Sequence, residues 1–332
     1  MILRHRVDLL ARLGDYMLSN DANWQESKQK ASYENGWFIP EFVDLAIKNI
    51  AESFLKKDIL DNWVANYRLL SANQHPKTVG IVMAGNIPLV GFHDLLCVFI
   101  TGNKAVIKPS SKDEVLIKHI VSVLENREPG INELIRFSVM LKNCDAYMAT
   151  GSYNSSRYFE YYFGKYPHII RRNKTSVAIL TGDETNGELE KLADDVYLFF
   201  GLGCRNVSKI YAPANYDFVP LLAAFKKYNY LAEHHKYKNN YDYNLAIHIL
   251  NNKFYMTNGS ILLVEDTSLF SPISQLNYEY YTDKNSLLSS LHDNKDLQCV
   301  VSRDQVPFGQ AQYPGILDYA DRMDTMAFLE SF

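Results

Sequence analysis

The chain has no surplus of charge of either sign. It sets 34 Lys and Arg against 38 Asp and Glu, a formal net charge of −4 with a pI near 6.1. Proteins that grip nucleic acid by neutralising phosphates carry basic blocks, and the absence of one argues against that class. Cysteine is scarce. Cys97, Cys144, Cys204 and Cys299 are scattered and form no C-x-x-C pair, which excludes a disulfide scaffold and leaves no structural zinc site to expect. No apolar run reaches the roughly 18 residues a membrane-spanning helix needs. The best candidate, Ile87 to Ile100, is broken by His93 and Asp94 and reads as a buried helix. The first residues lack both an unbroken apolar stretch and a small-residue cleavage site, so they are not read as a secretory signal. Asp8 and Asp15 count against a mitochondrial presequence. The expected location is the reducing cytoplasm. Internal repeats and low-complexity tracts are missing. So is the G-x-G-x-x-G fingerprint, and without it a regular Rossmann site is not supported.

What is present describes an α/β protein. At 332 residues and 47% hydrophobic content the chain is long enough for about two domains and too apolar to be disordered. The first ~75 residues read as helical. Ile2, Leu3, Leu9, Leu10, Leu13 and Met17 suggest an amphipathic helix, and Phe42, Val43, Ala46, Ile47 and Ile50 make a second stripe after Pro40. From Thr78 the pattern alternates. Strands are expected at 78–84, 104–108, 137–141 and 146–149, with helices at 92–101, from Ser111 to about Glu125, and at 154–163. Ser111 and Glu114 have the spacing of a capping box. Beyond Lys174, strands are expected at 176–180, 209–212, 260–265, 278–281 and 297–302. Helices are expected at 189–200 and across 219–250, with a short helical tail. This order implies parallel sheet covered by helices. The segments are 1–75 (helical), 76–173 (cofactor-binding, Rossmann-like), 174–304 (catalytic) and 305–332 (tail).

Four short segments carry chemistry. Met83-Ala84-Gly85-Asn86-Ile87-Pro88-Leu89 runs from a strand end through a turn into a helix, at the carboxyl edge where parallel sheets bind ligands. Asn86 either offers its amide to an oxyanion or simply makes the turn. Lys108-Pro109-Ser110-Ser111 ends a strand just before a helix start, a place for a ribose or a 2′-phosphate, or an ordinary surface lysine. Thr150-Gly151-Ser152 is a third strand-to-helix turn, where backbone N–H groups contact a pyrophosphate or merely begin a helix. In Gly201-Leu202-Gly203-Cys204-Arg205-Asn206 the glycines allow close approach to Cys204, and Arg205 favours its thiolate. Cys97 and Cys299 lie in apolar segments and read as packing, while Cys144 sits at a strand boundary with no obvious partner.

In this order the segments resemble the aldehyde dehydrogenase superfamily, and most closely its acyl-CoA reductase branch, the LuxC family. Asn86-Ile87-Pro88 matches the family's Asn-x-Pro turn. Gly102-Asn103 through Lys108-Pro109-Ser110 matches its G-N-x-x-x-x-K-P-S segment, Thr150-Gly151-Ser152 its T-G-S, and Gly203-Cys204 its nucleophile. The resemblance runs from about Thr78 to the end. It implies a two-lobed fold, a Rossmann-like cofactor lobe without the glycine fingerprint, and a catalytic α/β lobe. The implied activity is NADPH-dependent reduction of an acyl-CoA thioester to an aldehyde through a Cys204 acyl-enzyme. Asn86 and the Cys204 N–H then hold the oxyanion. Lys108, Ser110, Thr150, Gly151 and Ser152 bind the cofactor. The implied partners are acyl-CoA and the nicotinamide cofactor, with a homo-oligomer and an acyl-transferring partner enzyme left open.

Two departures from the superfamily pattern stand out. Aldehyde dehydrogenases carry Glu-Leu-Gly-Gly-Lys, whose Glu activates water. The matching stretch here, Ile169-Ile170-Arg171-Arg172-Asn173-Lys174-Thr175, has no carboxylate. Arg171, Arg172 and Lys174 either attract a polyanionic carrier or form a solvated patch. The part before the Asn86 turn is also short for the superfamily. The alternatives are a hydrolytic aldehyde dehydrogenase with a relocated base, for which Glu233, His234 and His235 are the first candidates, and a non-catalytic acyl-binding subunit.

Overall fold

The computed structural model describes residues 1–331. Four helices come first: α1 (Leu3–Met17), α2 (Ala22–Glu34), α3 (Pro40–Ser53) and α4 (Lys57–Ala65). Their three- and four-residue spacing buries Val7, Leu10, Leu13 and Met17 on α1 and Phe42, Val43, Ala46 and Ile50 on α3. Then follow β1 (Thr78–Val82), α5 (Phe92–Ile100), β2 (Lys104–Lys108), α6 (Glu114–Arg127), β3 (Ile135–Phe137), β4 (Ala146–Thr150), α7 (Tyr153–Phe163) and β5 (His168–Arg171). The five strands form one parallel sheet in the order β3-β2-β1-β4-β5. The chain adds β2 and β3 on one side of β1 and then β4 and β5 on the other, so the strand order reverses between β1 and β4. That reversal marks the carboxyl edge beyond those two strands as the place where ligands enter such sheets. The register sets Val82 level with both Lys108 and Ala149. The N-terminal helices share one apolar core with this sheet.

A second unit spans Lys174–Tyr313. It contains β6 (Thr175–Ile179), α8 (Asn186–Tyr197), β7 (Val207–Pro213), α9 (Val219–Ala224), α10 (His235–Leu250), β8 (Met256–Thr257), β9 (Leu262–Glu265), β10 (Gln275–Tyr281), α11 (Lys284–His292) and β11 (Leu297–Val301). The sheet order is β11-β6-β7-β10-β9-β8, parallel except for the antiparallel β8–β9 pair. From Pro314 the chain belongs to the first unit again. There Tyr319 Oη accepts from Trp63 Nε1 at 2.8 Å, and α12 (Thr325–Glu330) buries Met326 and Leu329 in the first core.

Three local expectations are corrected. The strand read at 137–141 is Ile135–Phe137. Its partner β2 ends one residue beyond Ile107, which pairs with Phe137, and after the Ser138 N–H donates to Ile107 O at 2.8 Å the pairing ends. The capping box at Ser111 and Glu114 does not form. Helix α6 starts at Glu114 with Asp113 at its N-cap, Ser111 is exposed, and Glu114 pairs with Lys118. Helix α8 stops at Tyr197 rather than Phe200, because Phe199 and Phe200 take left-handed conformations, φ 54 and 58. A capping box that the sequence reading missed, Thr185 with Glu188, starts that helix.

Candidate active site

The nucleophile turn lies between α8 and β7, at the amino-terminal edge of the second sheet. Phe199, Phe200 and Gly201 are three consecutive left-handed residues, φ 54, 58 and 73. Each non-glycine residue held so costs on the order of 1–3 kcal/mol and persists only where its surroundings impose it. Those surroundings are visible. Both phenylalanines are buried. The Phe200 ring packs 4.6 Å from His234 and 5.7 Å from Tyr237.

Asn206, 2% exposed, does most of the fixing. Its Nδ2 donates to Leu198 O at 2.8 Å and Asp195 O at 3.1 Å, carbonyls at the end of α8. Its Oδ1 accepts the Gly203 N–H at 2.8 Å, and its own N–H donates to Gly203 O at 3.1 Å. The turn carrying Cys204 is thereby closed on both sides. Ser176 on β6 donates its hydroxyl to Cys204 O at 3.0 Å and accepts the Cys299 N–H at 3.2 Å. Cys204 is half-buried, whereas Cys97, Cys144 and Cys299 are buried. Burial pushes the Cys97 thiol well up and the Cys144 thiol up. Cys204 is therefore the one cysteine with both solvent access and a backbone fixed by side chains.

Asp195 braces the far side of the same helix. Fully buried, its carboxyl accepts the Gly309 N–H at 2.6 Å and the Ala311 N–H at 2.9 Å. Burial raises its pKa to about 7 against the pull of those two donors. Asn206, Ser176 and Asp195 were all missed by sequence reasoning. The legible trace of Asn206 was a polar amide standing directly before the apolar strand VSKIY.

The other residues singled out lie along the carboxyl edge of the first sheet. Asn86 is half-buried in the turn after β1. A Cβ on Gly85 would stand 2.6 Å from Ser110 Oγ, so only glycine lets this turn lie against the Lys108-Pro109-Ser110 segment. Met83 N donates to Lys108 O at 3.0 Å, binding the two segments further. Lys108 projects an exposed ammonium from the end of β2. Ser152 caps α7 through the Ser155 N–H at 3.3 Å, and the Gly151 N–H donates to Arg171 O at 3.3 Å. Thr150, Gly151 and Ser152 thus already serve the strand-to-helix turn. An exposed cation and a neighbouring hydroxyl at the carboxyl edge of a parallel sheet are groups that could hold the ribose and phosphates of a dinucleotide.

The expected basic patch is not a patch. Arg171 is buried, its Nη1 2.6 Å from Asp94 Oδ2 and its Nη2 2.9 Å from Thr325 Oγ1. A buried arginine needs such partners, and these hold its two terminal nitrogens while Nε is buried without a hydrogen-bond partner. Arg172 is exposed and pairs with Glu160 at 3.3 Å. Among the described residues no cluster of His, Cys, Asp and Glu could hold a metal, and no helix is long and apolar enough to cross a membrane.

Comparison with known proteins extends this picture. The family model for acyl-CoA reductase (LuxC) matches residues 42–215, a span containing Asn86, Lys108, Thr150 and Cys204. No curated protein matches the chain. Among solved structures it is similar to aldehyde dehydrogenase 21 from Physcomitrella patens in complex with the reaction product succinate. That match has a TM-score of 0.67 at 13% identity and covers 92% of this chain and 74% of that one. It is similar to an NAD-dependent aldehyde dehydrogenase from Sinorhizobium meliloti, with TM-score 0.67, 14% identity and coverage of 91% and 70%. An indole-3-acetaldehyde dehydrogenase of P. syringae in complex with NAD+ gives TM-score 0.64 at 13% identity, covering 89% and 70%. At such identities the likeness shows the fold, which is the two-lobed aldehyde dehydrogenase fold expected from the sequence.

Proposed function

The chain belongs to the acyl-CoA reductase (LuxC) family, and from that premise we propose that it reduces an acyl-CoA thioester to an aldehyde with NADPH, using Cys204 as nucleophile. The observation that carries the assignment is the setting of Cys204. It is the one cysteine that is not buried, and its turn is fixed by Asn206 and Ser176.

The Cys204 thiolate adds to the thioester carbonyl. The carbonyl oxygen takes the negative charge, and the Cys204 N–H and the Asn86 amide are assigned as its donors. Collapse breaks the bond to coenzyme A, whose thiolate leaves, and the acyl group remains on Cys204. A reduced nicotinamide cofactor, when bound, supplies the hydride. The same two donors stabilise the second oxyanion, and release of the Cys204 thiolate gives the aldehyde. Lys108 is assigned to the adenosine ribose region of the cofactor, with Ser110, Thr150, Gly151 and Ser152 beside it.

Incubation with acyl-CoA in the absence of cofactor, followed by mass spectrometry, tests the reading. The acyl group should reside on Cys204 and be discharged as aldehyde when NADPH is added. A non-catalytic acyl-binding subunit would carry no covalent adduct. An adduct on Cys97, Cys144 or Cys299 would sink the assignment.

A further inference from the structure

Asp113 stands where a helix-capping residue belongs and does not cap. It occupies the N-cap of α6, yet its side chain makes no bond to that helix. An aspartate at this position ordinarily accepts an N–H from the first turn. Here Oδ2 instead accepts the Leu89 N–H at 2.6 Å, from a residue 24 positions earlier. Oδ1 is buried without a hydrogen-bond partner. Leu89 is itself unusual, a buried leucine at φ 57, a conformation L side chains rarely adopt. Its carbonyl accepts the Phe92 N–H at 2.9 Å at the start of α5. Asp113 therefore forgoes a cap, leaves one oxygen unpaired and is buried, all of which cost stability, in order to hold one backbone N–H in a strained turn. Departures from local rules of this kind concentrate at functional sites.

The turn so held is that of Asn86. The Asp113 N–H donates to Ser110 O at 3.0 Å, and Ser110 in turn blocks the space beside Gly85. One residue thus ties the Lys108-Pro109-Ser110 segment to the Asn86-Leu89 turn. We propose that Asp113 is a positioning residue for the reaction, setting the Asn86 amide through the Leu89 N–H. This inference rests on the acyl-CoA reductase reading. Burial raises the Asp113 carboxyl to about 8, so near neutral pH it is mostly the uncharged acid. An asparagine amide oxygen can then replace its acceptor.

The test measures single-turnover acylation of Cys204 by acyl-CoA without cofactor in wild type, Asp113→Asn and Asp113→Ala, with thermal melts of each. Misplacing a catalytic group by about 1 Å costs up to roughly a hundredfold. Asp113→Ala should lower the limiting acylation rate about ten- to a hundredfold, with the half-saturating acyl-CoA concentration changed less than about threefold. Asp113→Asn should recover most of the rate. A wild-type limiting rate in Asp113→Ala, whatever its melting temperature, overturns the inference alone. So does an Asp113→Asn variant that folds and is as slow as a folded Asp113→Ala. If Asp113→Ala does not fold, the Asn variant decides, and a rate more than about tenfold below wild type overturns the inference. Absence of any acyl adduct in the wild type overturns the reductase reading, and the inference with it.

Discussion

Asn206 Oδ1 accepts the Gly203 N–H at 2.8 Å, one residue before Cys204, while its amide nitrogen holds the last carbonyls of α8. A single side chain therefore ends the helix, closes the turn and aims the cysteine. The helix breaks into left-handed residues at Phe199, and the Asn206 amide adds a donor to the carbonyls of Asp195 and Leu198 at that break.

Replacing that donor should be costly in both stability and reactivity. Each buried group left unpaired costs about 1–3 kcal/mol, so Asn206→Ala should lose roughly 2–4 kcal/mol of unfolding free energy. Asn206→Asp should do worse, because it turns an acceptor toward Leu198 O and Asp195 O. In the folded fraction, iodoacetamide should modify Cys204 several-fold more slowly. Denaturant titration and timed alkylation check both effects. Wild-type melting together with wild-type alkylation in Asn206→Ala would refute the role given to this residue.

On the proposed reading, Asn86 serves the chemistry and Lys108 the recognition of the cofactor. Loss of an oxyanion donor costs about a hundred- to a thousandfold in rate. Asn86→Ala should therefore lower turnover by about that factor with little change in NADPH binding. Lys108 is exposed, and a charge-assisted contact is worth about 1.5–3 kcal/mol. Lys108→Ala should weaken NADPH about tenfold or more and NADH less, measured by fluorescence titration. Equal weakening of the two would mean that Lys108 reads the shared ribose and would remove the case for NADPH.

The sheet-edge positions were legible in the sequence because each is a short-range pattern. A β-branched run ending in Gly-Asn-x-Pro, or in Lys-Pro-Ser, announces a strand end by itself. The parallel order followed from alternation alone. What could not be read is what long-range contacts decide. Asp113 serves Leu89 instead of its own helix, and Arg171 turns inward to Asp94 and Thr325. The left-handed Phe199 and Phe200 are imposed by packing and by Asn206, against a periodic pattern that runs on as helix to Gly201. Local propensity favoured the other answer at each of these places, and tertiary contacts overrode it.

Stability should fall as pH rises through neutrality. The carboxyls of Asp113 and Asp195 are raised by burial from 3.8 to about 8 and about 7. Between the ordinary and the raised values the folded state holds protons that the unfolded state has lost, so stability decreases with pH. The contribution is full below about pH 4 and is gone once pH passes about 8. His119, lowered by burial, acts in the opposite sense at lower pH, and buried Cys97 adds to the fall only above about pH 8.5. Melting temperatures should therefore decline from about pH 7 to about pH 9, and Asp113→Asn should flatten the curve by removing one of its two carboxyl contributors. A wild-type melting temperature that rises over this range, or an Asp113→Asn curve parallel to wild type, would contradict the assignment.

Coenzyme A should control the oxidative direction. Releasing an acyl group from Cys204 as free acid requires a base to take a proton from water, help worth roughly 10²–10⁴-fold. The stretch that corresponds to the superfamily's water-activating glutamate, Ile169 to Thr175, contains no carboxylate. The structure refines the argument. Arg171 is not a charge displayed there, since its guanidinium is spent on Asp94 inside the core. The expectation rests instead on the missing base, with Arg172 the exposed cation of the stretch and paired to Glu160. Thiolysis escapes the requirement, because coenzyme A brings a thiol that is partly ionised near neutral pH. Aldehyde with NADP+ should turn over slowly in water, accumulate acyl-Cys204, and accelerate at least tenfold with added coenzyme A, giving acyl-CoA; the factor is on the order of the lost base catalysis. Quench-flow with product analysis reads all three. Fast release of carboxylic acid, indifferent to coenzyme A, would point to a relocated base. His234, whose ring packs on Phe200 beside the nucleophile turn, would then be the first residue to replace, ahead of its exposed neighbours Glu233 and His235.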